Sequence, residues 1–528
     1  MKRHSFIARL ASLAVVCGLT LAFASCANDD LAQNGKTSTD DKGLTAFSTG
    51  DPVTRTTMEA DGKFYWEAGD KIWVKDDSSN WKQSSNSPKG KTASFKFLMP
   101  GKYTAKSSYE VYYPGKNGNQ NQVTISANQT QTEPNTTAHF GASGDCGIAK
   151  ATRNATSHEF EFALDHKAAY LVFKPYTSND VLKYCYLTKI EVTSDNDIAS
   201  TSTYTLDPTA DTGAGALTGT GNGKQIVLTT KGNYGSTYQN GFPLTNTSAS
   251  LTTNGAYMVI KPGTHTLRIR YWVKDVATGI EGTITKIIPS HTFAKNEYVN
   301  MEADLQVKNY DGDHYYMWDA QEQYWYGYEW TKNLPGNTGQ PTLNNRNSPN
   351  YPQSNYDVSR WYNEGGSSGR FDATHSCASI PNANEMSWYC MYGDPRWDAD
   401  ELWSTMGHLY KGGMWFKKKS VLQAENHYST EKSANGSTDL RTTEDSYSNN
   451  VNNSGISSVA DVGNYFYLPA LGAYNRAVLG DVGSRGNYWS SSSAPSNYYN
   501  AYRLSFGSGN VNVARSGRAA GYRAEVLQ

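Results

Sequence analysis

Leu267, Ile269, Tyr271 and Val273 alternate with Arg268, Arg270, Trp272 and Lys274, and this pattern limits the possible folds more than any other. Apolar residues at every second position share one face of a pleated strand, so the run predicts a half-buried strand with one wet face. Ala93, Phe95 and Phe97 repeat the pattern, as do Phe160, Phe162 and Leu164. Pro114-Gly115 and Pro262-Gly263 punctuate such runs, as hairpins and sandwich loops require. Composition agrees, with 37 Tyr and 47 Gly but only 18% charged residues, a balance that favours strands and loops over helices. With 48 basic residues against 49 acidic ones, there is no positive footprint for nucleic acid. The expected fold class is mainly β, with two tandem β-sandwiches over 44–168 and 169–307 and an α+β module over 308–528.

The amino end sets the compartment. Lys2, Arg3 and Arg9 precede an apolar run over 10–24, which ends in Ser25-Cys26. A basic start followed by about fifteen apolar residues is the secretory signal pattern, and it is too short for a comfortable membrane span. Residues 1–25 therefore read as a signal peptide and 26–43 as a polar tether. A Cys directly after small residues resembles the lipobox of bacterial lipoproteins, in which that Cys is acylated. The resemblance implies lipidation at Cys26; an ordinary signal peptide is the alternative. Asn28-Asp29-Asp30 resembles the acidic surface-export signal of Bacteroides-type lipoproteins. A surface-exposed lipoprotein held to the outer membrane by its lipid is expected.

Cofactors, metals and catalysis find little support. Asp195-Asn196-Asp197 and Asp311-Gly312-Asp313 lack the closing Glu of a calcium loop. Gly365-Gly366-Ser367-Ser368-Gly369 matches a nucleophile-elbow spacing without the strand before it or the helix after it. No cofactor, no metal and no enzyme activity are expected. Cys146, Cys185, Cys377 and Cys390 allow one or two disulfides, or four buried thiols.

Several pieces recur in order over the first two domains: Thr54-Arg55-Thr56, Trp66-Glu67-Ala68-Gly69-Asp70-Lys71-Ile72, Tyr112-Tyr113-Pro114, His166-Lys167-Ala168-Ala169-Tyr170-Leu171, and a strand block over 293–305. Together they resemble the fimbrillin family of Bacteroides-type pilins. The resemblance implies a lipoprotein cut after an Arg near its amino end, with Arg55 as the processing site; an ordinary exposed loop Arg is the alternative. Loss of the first strand would open an apolar groove for a strand donated by another pilin subunit, a case of β-augmentation.

Beyond residue 308 the pattern changes. Asn382-Ala383-Asn384-Glu385 before Met386, Trp388, Tyr389 and Met391 predicts a short helix capped by Asn382 or Asn384. A second helical signal covers 398–406, a strand covers 412–416, and 424–460 reads as a surface insertion. The last 64 residues hold eight Tyr, nine Ser, eight Gly, six Asn and six Arg but no Lys. Evolved binding surfaces converge on this composition, and Arg adds a planar fork for carboxylates. A hairpin with a merely polar outer face is the alternative. Over 500–513, Ala501, Leu504, Phe506, Val511 and Val513 can supply a core, leaving Tyr502, Arg503, Ser505, Ser508, Asn510 and Asn512 facing out.

Tyr465-Phe466-Tyr467-Leu468-Pro469-Ala470, the run 482–491, Ser508-Gly509-Asn510-Val511-Asn512-Val513 and Gly521-Tyr522-Arg523 resemble the Fibrobacter major paralogous domain. That domain is C-type-lectin-like and related in shape to variable proteins diversified by retroelements. The resemblance implies ligand-binding residues at Tyr498, Tyr499, Asn500, Tyr502, Arg503, Ser505, Asn510, Asn512, Arg515 and Arg518, with Tyr488, Trp489 and Phe506 as scaffold. It also implies a pilus tip adhesin of the fimbrium, because a lectin-like module stands where stalk pilins carry a donor strand. The ligand class is a host or bacterial surface protein or glycan. Replacing both Tyr502 and Arg503 by Ala is expected to abolish capture and leave unfolding nearly unchanged. The alternatives are a non-polymerising surface ligand-binding lipoprotein, or an enzyme on a scaffold like that of the formylglycine-generating enzyme.

Overall fold

The structure is a computed structural model that describes residues 43–49, 65–200, 203–329, 350–405, 407–453, 456 and 459–528. Cys26 and Arg55 lie outside these residues. The fold is mainly β, and its larger compact unit begins at Thr45. Among the described residues no helix is long and apolar enough to cross a membrane.

An eight-stranded sheet forms around a core that includes Trp66, Ile72, Phe97, Tyr113, Phe160 and Phe162. Trp66 meets Phe97 and Tyr113 edge to face, with ring centroids at 4.9 and 5.3 Å. The chain can re-enter the sheet after Trp66 because Gly69 adopts a φ of 85°, a region that favours glycine. The Asp70 carboxylate closes the turn by accepting the Glu67 N–H at 2.7 Å.

The strand Leu44–Thr49 lies between Phe160–Phe162 and Lys96–Pro100. From Phe47 to Thr49 it runs parallel to Phe160–Phe162. Phe47 is 0% exposed; its ring stacks on Phe160 at 4.9 Å and meets Tyr103 edge-on at 5.2 Å.

A second core lies between a three-stranded sheet and a ten-stranded one. The alternation over Gly263–Lys274 is realised residue by residue, with Leu267, Ile269, Tyr271 and Val273 buried. Its other face is half-buried instead of wet, because the chain around Asp398 and Glu401 covers part of it. Arg270 donates to Asp398 at 2.9 Å, and the Arg268 guanidinium lies 3.9 Å from the same carboxylate. The ten-stranded sheet itself continues into Arg396–Thr405 through the pairing of Thr283 with Glu401. From the other direction, Asn128–Gln131 joins this sheet beside Gln225–Thr230. The buried amides of Gln129 and Gln131 bond the backbone of Val259, Tyr257 and Gly255 in the facing sheet.

The helical expectation for 398–406 is overturned, since Arg396–Thr405 is a strand. Gly407, at φ 79°, turns the chain back into His408–Lys417, pairing Thr405 with His408 and Trp403 with Tyr410. That pairing buries Leu402 and Trp403, and tertiary context overrides the local preference.

The carboxy-terminal sheet runs Tyr315–Tyr316, Tyr522–Arg523, Gly486–Ser493, Asn500–Phe506, Asn510–Gly517, Tyr447–Asn450. Gly486 faces the Phe506 ring so closely that a Cβ would sit 2.2 Å from it. The helix Ala383–Tyr392 packs against this sheet. Its cap is Asn382, whose side chain accepts the Glu385 N–H at 3.0 Å while Glu385 accepts the Asn382 N–H at 2.8 Å. Residues 424–460 are more than a surface insertion. Leu440 is buried, Arg441 is gripped by Asp439 and Glu431, and Tyr447–Asn450 is a strand of the sheet. Cys146, Cys185, Cys377 and Cys390 are all free and buried, so Cys377 and Cys390 are core thiols.

Candidate ligand-binding surface

The terminal hairpin pairs Asn500–Phe506 with Asn510–Gly517, setting Leu504 opposite Val513 and Phe506 opposite Val511. Side chains alternate along a strand, so Tyr502, Leu504 and Phe506 share one face and Ala501, Arg503 and Ser505 the other. Tyr502, Leu504, Phe506, Val511 and Val513 enter the core that includes Met386 and Tyr389 of the capped helix. Ala501 enters a separate core with Trp318, Cys377, Ile380 and Trp489 on the opposite face.

Both faces are therefore covered, and the outward expectation fails at three positions. Tyr502 is 0% exposed, and its hydroxyl bonds the Asp445 backbone. Ser505 is buried. Arg518 is 0% exposed, with its guanidinium 4.3 Å over the Trp318 ring. Arg503 and Asn512 are half-buried and bond each other at 3.1 Å. Asn500 is half-buried, and Asn510 is exposed near the hairpin tip. Arg515 is exposed and pairs with Glu444 at 2.6 Å. Tyr498 and Tyr499, at the entry to the hairpin, are 37% and 55% exposed. Tyr488, Trp489 and Phe506 are buried.

Of the six arginines in the last 64 residues, Arg518 and Arg523 are buried and Arg503 is half-buried, while Arg476, Arg485 and Arg515 are exposed. Arg523 is buried against Glu525. Burial drives the Arg518 guanidinium down to about 10, which marks its desolvation.

Arg518 organises what remains outside. Its Nε donates to the Asn500 carbonyl at 3.1 Å, and one terminal nitrogen donates to the carbonyls of Asn363 and Gly365 at 2.8 and 2.9 Å. Its own N–H bonds the Tyr499 carbonyl at 2.9 Å. One buried guanidinium thus ties the loop 361–365 to the hairpin entry. Asp319, also 0% exposed, fixes the far side of that loop by accepting from Asn363 Nδ2 at 2.8 Å and from the N–H groups of Thr374 and His375 at 2.8 and 2.7 Å. The result sets Tyr498 and Tyr499 near Tyr362 and Glu364. Sequence reasoning missed these last two; an adjacent Trp-Tyr pair before a Gly-Gly turn was the available signal. Gly365–Gly369 is loop with neither a strand before nor a helix after it. Among the described residues no group of three or more His, Cys, Asp or Glu could hold a metal.

No family model and no curated protein matches the chain. Among solved structures it is similar to a candidate cell adhesion protein of Bacteroides uniformis, at 15% identity and a TM-score of 0.28, covering 51% of this chain and 94% of that one. A fimbrial assembly protein of Parabacteroides distasonis overlaps at 14% identity and a TM-score of 0.24, covering 50% and 91%. A fimbrial protein of Bacteroides ovatus overlaps at 9% identity and a TM-score of 0.25, covering 91% and 98%. Overlaps this loose decide neither fold nor role.

Proposed function

We propose that the chain is a fimbrillin-type protein exported as a lipoprotein through Cys26, released from that lipid by a cut at Arg55, that acts as a pilus tip adhesin. Two sandwiches, 44–168 and 169–307, form its stem, and the C-type-lectin-like module 308–528 holds the ligand, a surface protein or glycan. The observation that carries this reading is the place of Phe47–Thr49 in the first sheet. These residues precede Arg55, yet they fill the gap between Phe160–Phe162 and Lys96–Pro100, with Phe47 wholly buried. A cut at Arg55 would free that strand and leave an apolar slot bordered by unpaired backbone, which is what strand donation requires. Tyr522–Arg523 is paired on both sides, by Tyr315–Tyr316 and Gly486–Ser493, so that strand is not free to be donated.

Mass spectrometry of surface-extracted protein tests the reading. The expected product starts at Thr56 and travels with another pilin subunit in a boil-sensitive complex. An intact start at Cys26 in assembled material would overturn it.

A further inference from the structure

Tyr498 and Tyr499 have ring centroids 3.9 Å apart, and their hydroxyls bond each other. With the polar ends engaged, the pair presents its ring faces, which carry the negative side of the aromatic quadrupole. Trp361 lies 4.8 Å from Tyr362, centroid to centroid, and donates its indole N–H to Glu364 at 2.9 Å. Glu364 is exposed. It is also close enough to act on Tyr498, whose phenol is held above its ordinary range mainly by Tyr499 and in smaller part by Glu364.

The neighbouring cations are already engaged. Arg518 donates inward to backbone carbonyls, Arg360 is buried against Asp357, and Arg370 pairs with Asp372 at 2.8 Å. Electron-rich faces beside an exposed carboxylate suit a desolvating cation. A neutral sugar can stack on the same ring faces, but the exposed carboxylate beside them adds charge attraction only for a cation.

We infer that Tyr498 and Tyr499, with Glu364 as counter-charge, capture a Lys or Arg side chain of a protein partner. This inference rests on the reading of the module as the ligand-binding end. Arg518 and Asp319 are its positioning residues, since they hold the two loops together without reaching the surface.

The test uses the full chain and three probes at physiological salt: a short fluorescent peptide alternating Lys and Gly, the same peptide with Gln for Lys, and maltohexaose. The Lys peptide should bind and the other two should not. Glu364→Gln should weaken binding about fivefold, and Tyr498→Ala with Tyr499→Ala about tenfold, with thermal unfolding unchanged. Maltohexaose capture that is lost in the double variant would remove the cationic partner and leave the binding surface standing. Indifference of every probe to the tyrosine pair, or binding of none, would remove both.

Discussion

Replacing Tyr502 by Ala distinguishes an inward from an outward terminal hairpin. The ring is 0% exposed in the core formed with Leu504, Phe506, Val511 and Val513. Its hydroxyl donates to the Asp445 carbonyl and accepts the Asp445 N–H, both at 3.2 Å. Truncating an aromatic ring in a packed core costs about 3–5 kcal/mol. Tyr502→Phe keeps the ring and removes only the hydroxyl bonds, a loss of about 1 kcal/mol. Because the chain has several cores, one global transition is a poor readout. Amide hydrogen exchange over 500–517 is the better assay. A local loss of about 4 kcal/mol accelerates exchange there roughly a thousandfold in the Ala variant, and about 1 kcal/mol gives roughly fivefold in the Phe variant. Exchange in Tyr502→Ala that matches the parent would mean that the ring faces solvent and that the two-faced burial of this sheet is wrong.

Burial pushes the thiols of Cys185, Cys377 and Cys390 up to about 12. Iodoacetamide at neutral pH should therefore label them only after denaturation, and labelling of Cys185, Cys377 or Cys390 in the native chain, located by peptide mapping, would contradict their core placement. Asp398→Asn leaves Arg270 buried beside a neutral partner and should cost about 3 kcal/mol, read as faster amide exchange over Gly263–Lys274 and Arg396–Thr405; exchange equal to the parent's would mean that this contact does not hold the two segments together. Burial presses the Asp439 carboxyl upward, but hydrogen bonds from Arg441 and Asn384 outweigh it and hold the group down at about 2, below its ordinary 3.8. Its folded value lies below its unfolded one, so its stabilisation is present above pH 3.8 and fades as the pH falls toward 2. Asp439→Asn should flatten that part of the acid-unfolding profile, and a profile identical to the parent's would refute the linkage.

Local signals were readable where local physics decides. The alternation at Leu267, Ile269, Tyr271 and Val273 predicted the buried face, and the helix start was marked by Asn382 or Asn384, of which the structure uses Asn382. The run 398–406 misled because its strand state depends on His408–Lys417 and on Thr283, partners that local preference does not encode. The terminal hairpin was misread at a step the sequence itself could have corrected. Ala501 and Leu504 have opposite parity and cannot share one core face, so a sheet buried on both sides was already implied. The nearness of Glu364 to Tyr498 was not legible at all. It exists because one buried Arg bonds carbonyls more than 130 residues apart in the chain, Asn363 and Asn500.

Hydrogen exchange at the first sandwich tests the strand-slot reading most directly. Two forms are compared, the whole chain and one beginning at Thr56, each followed at Phe160–Phe162 and Lys96–Pro100. The account predicts that these amides lose protection in the shortened form, because Phe47–Thr49 no longer pairs beside them, and regain it when a partner subunit's strand is supplied. Equal protection in both forms would contradict it.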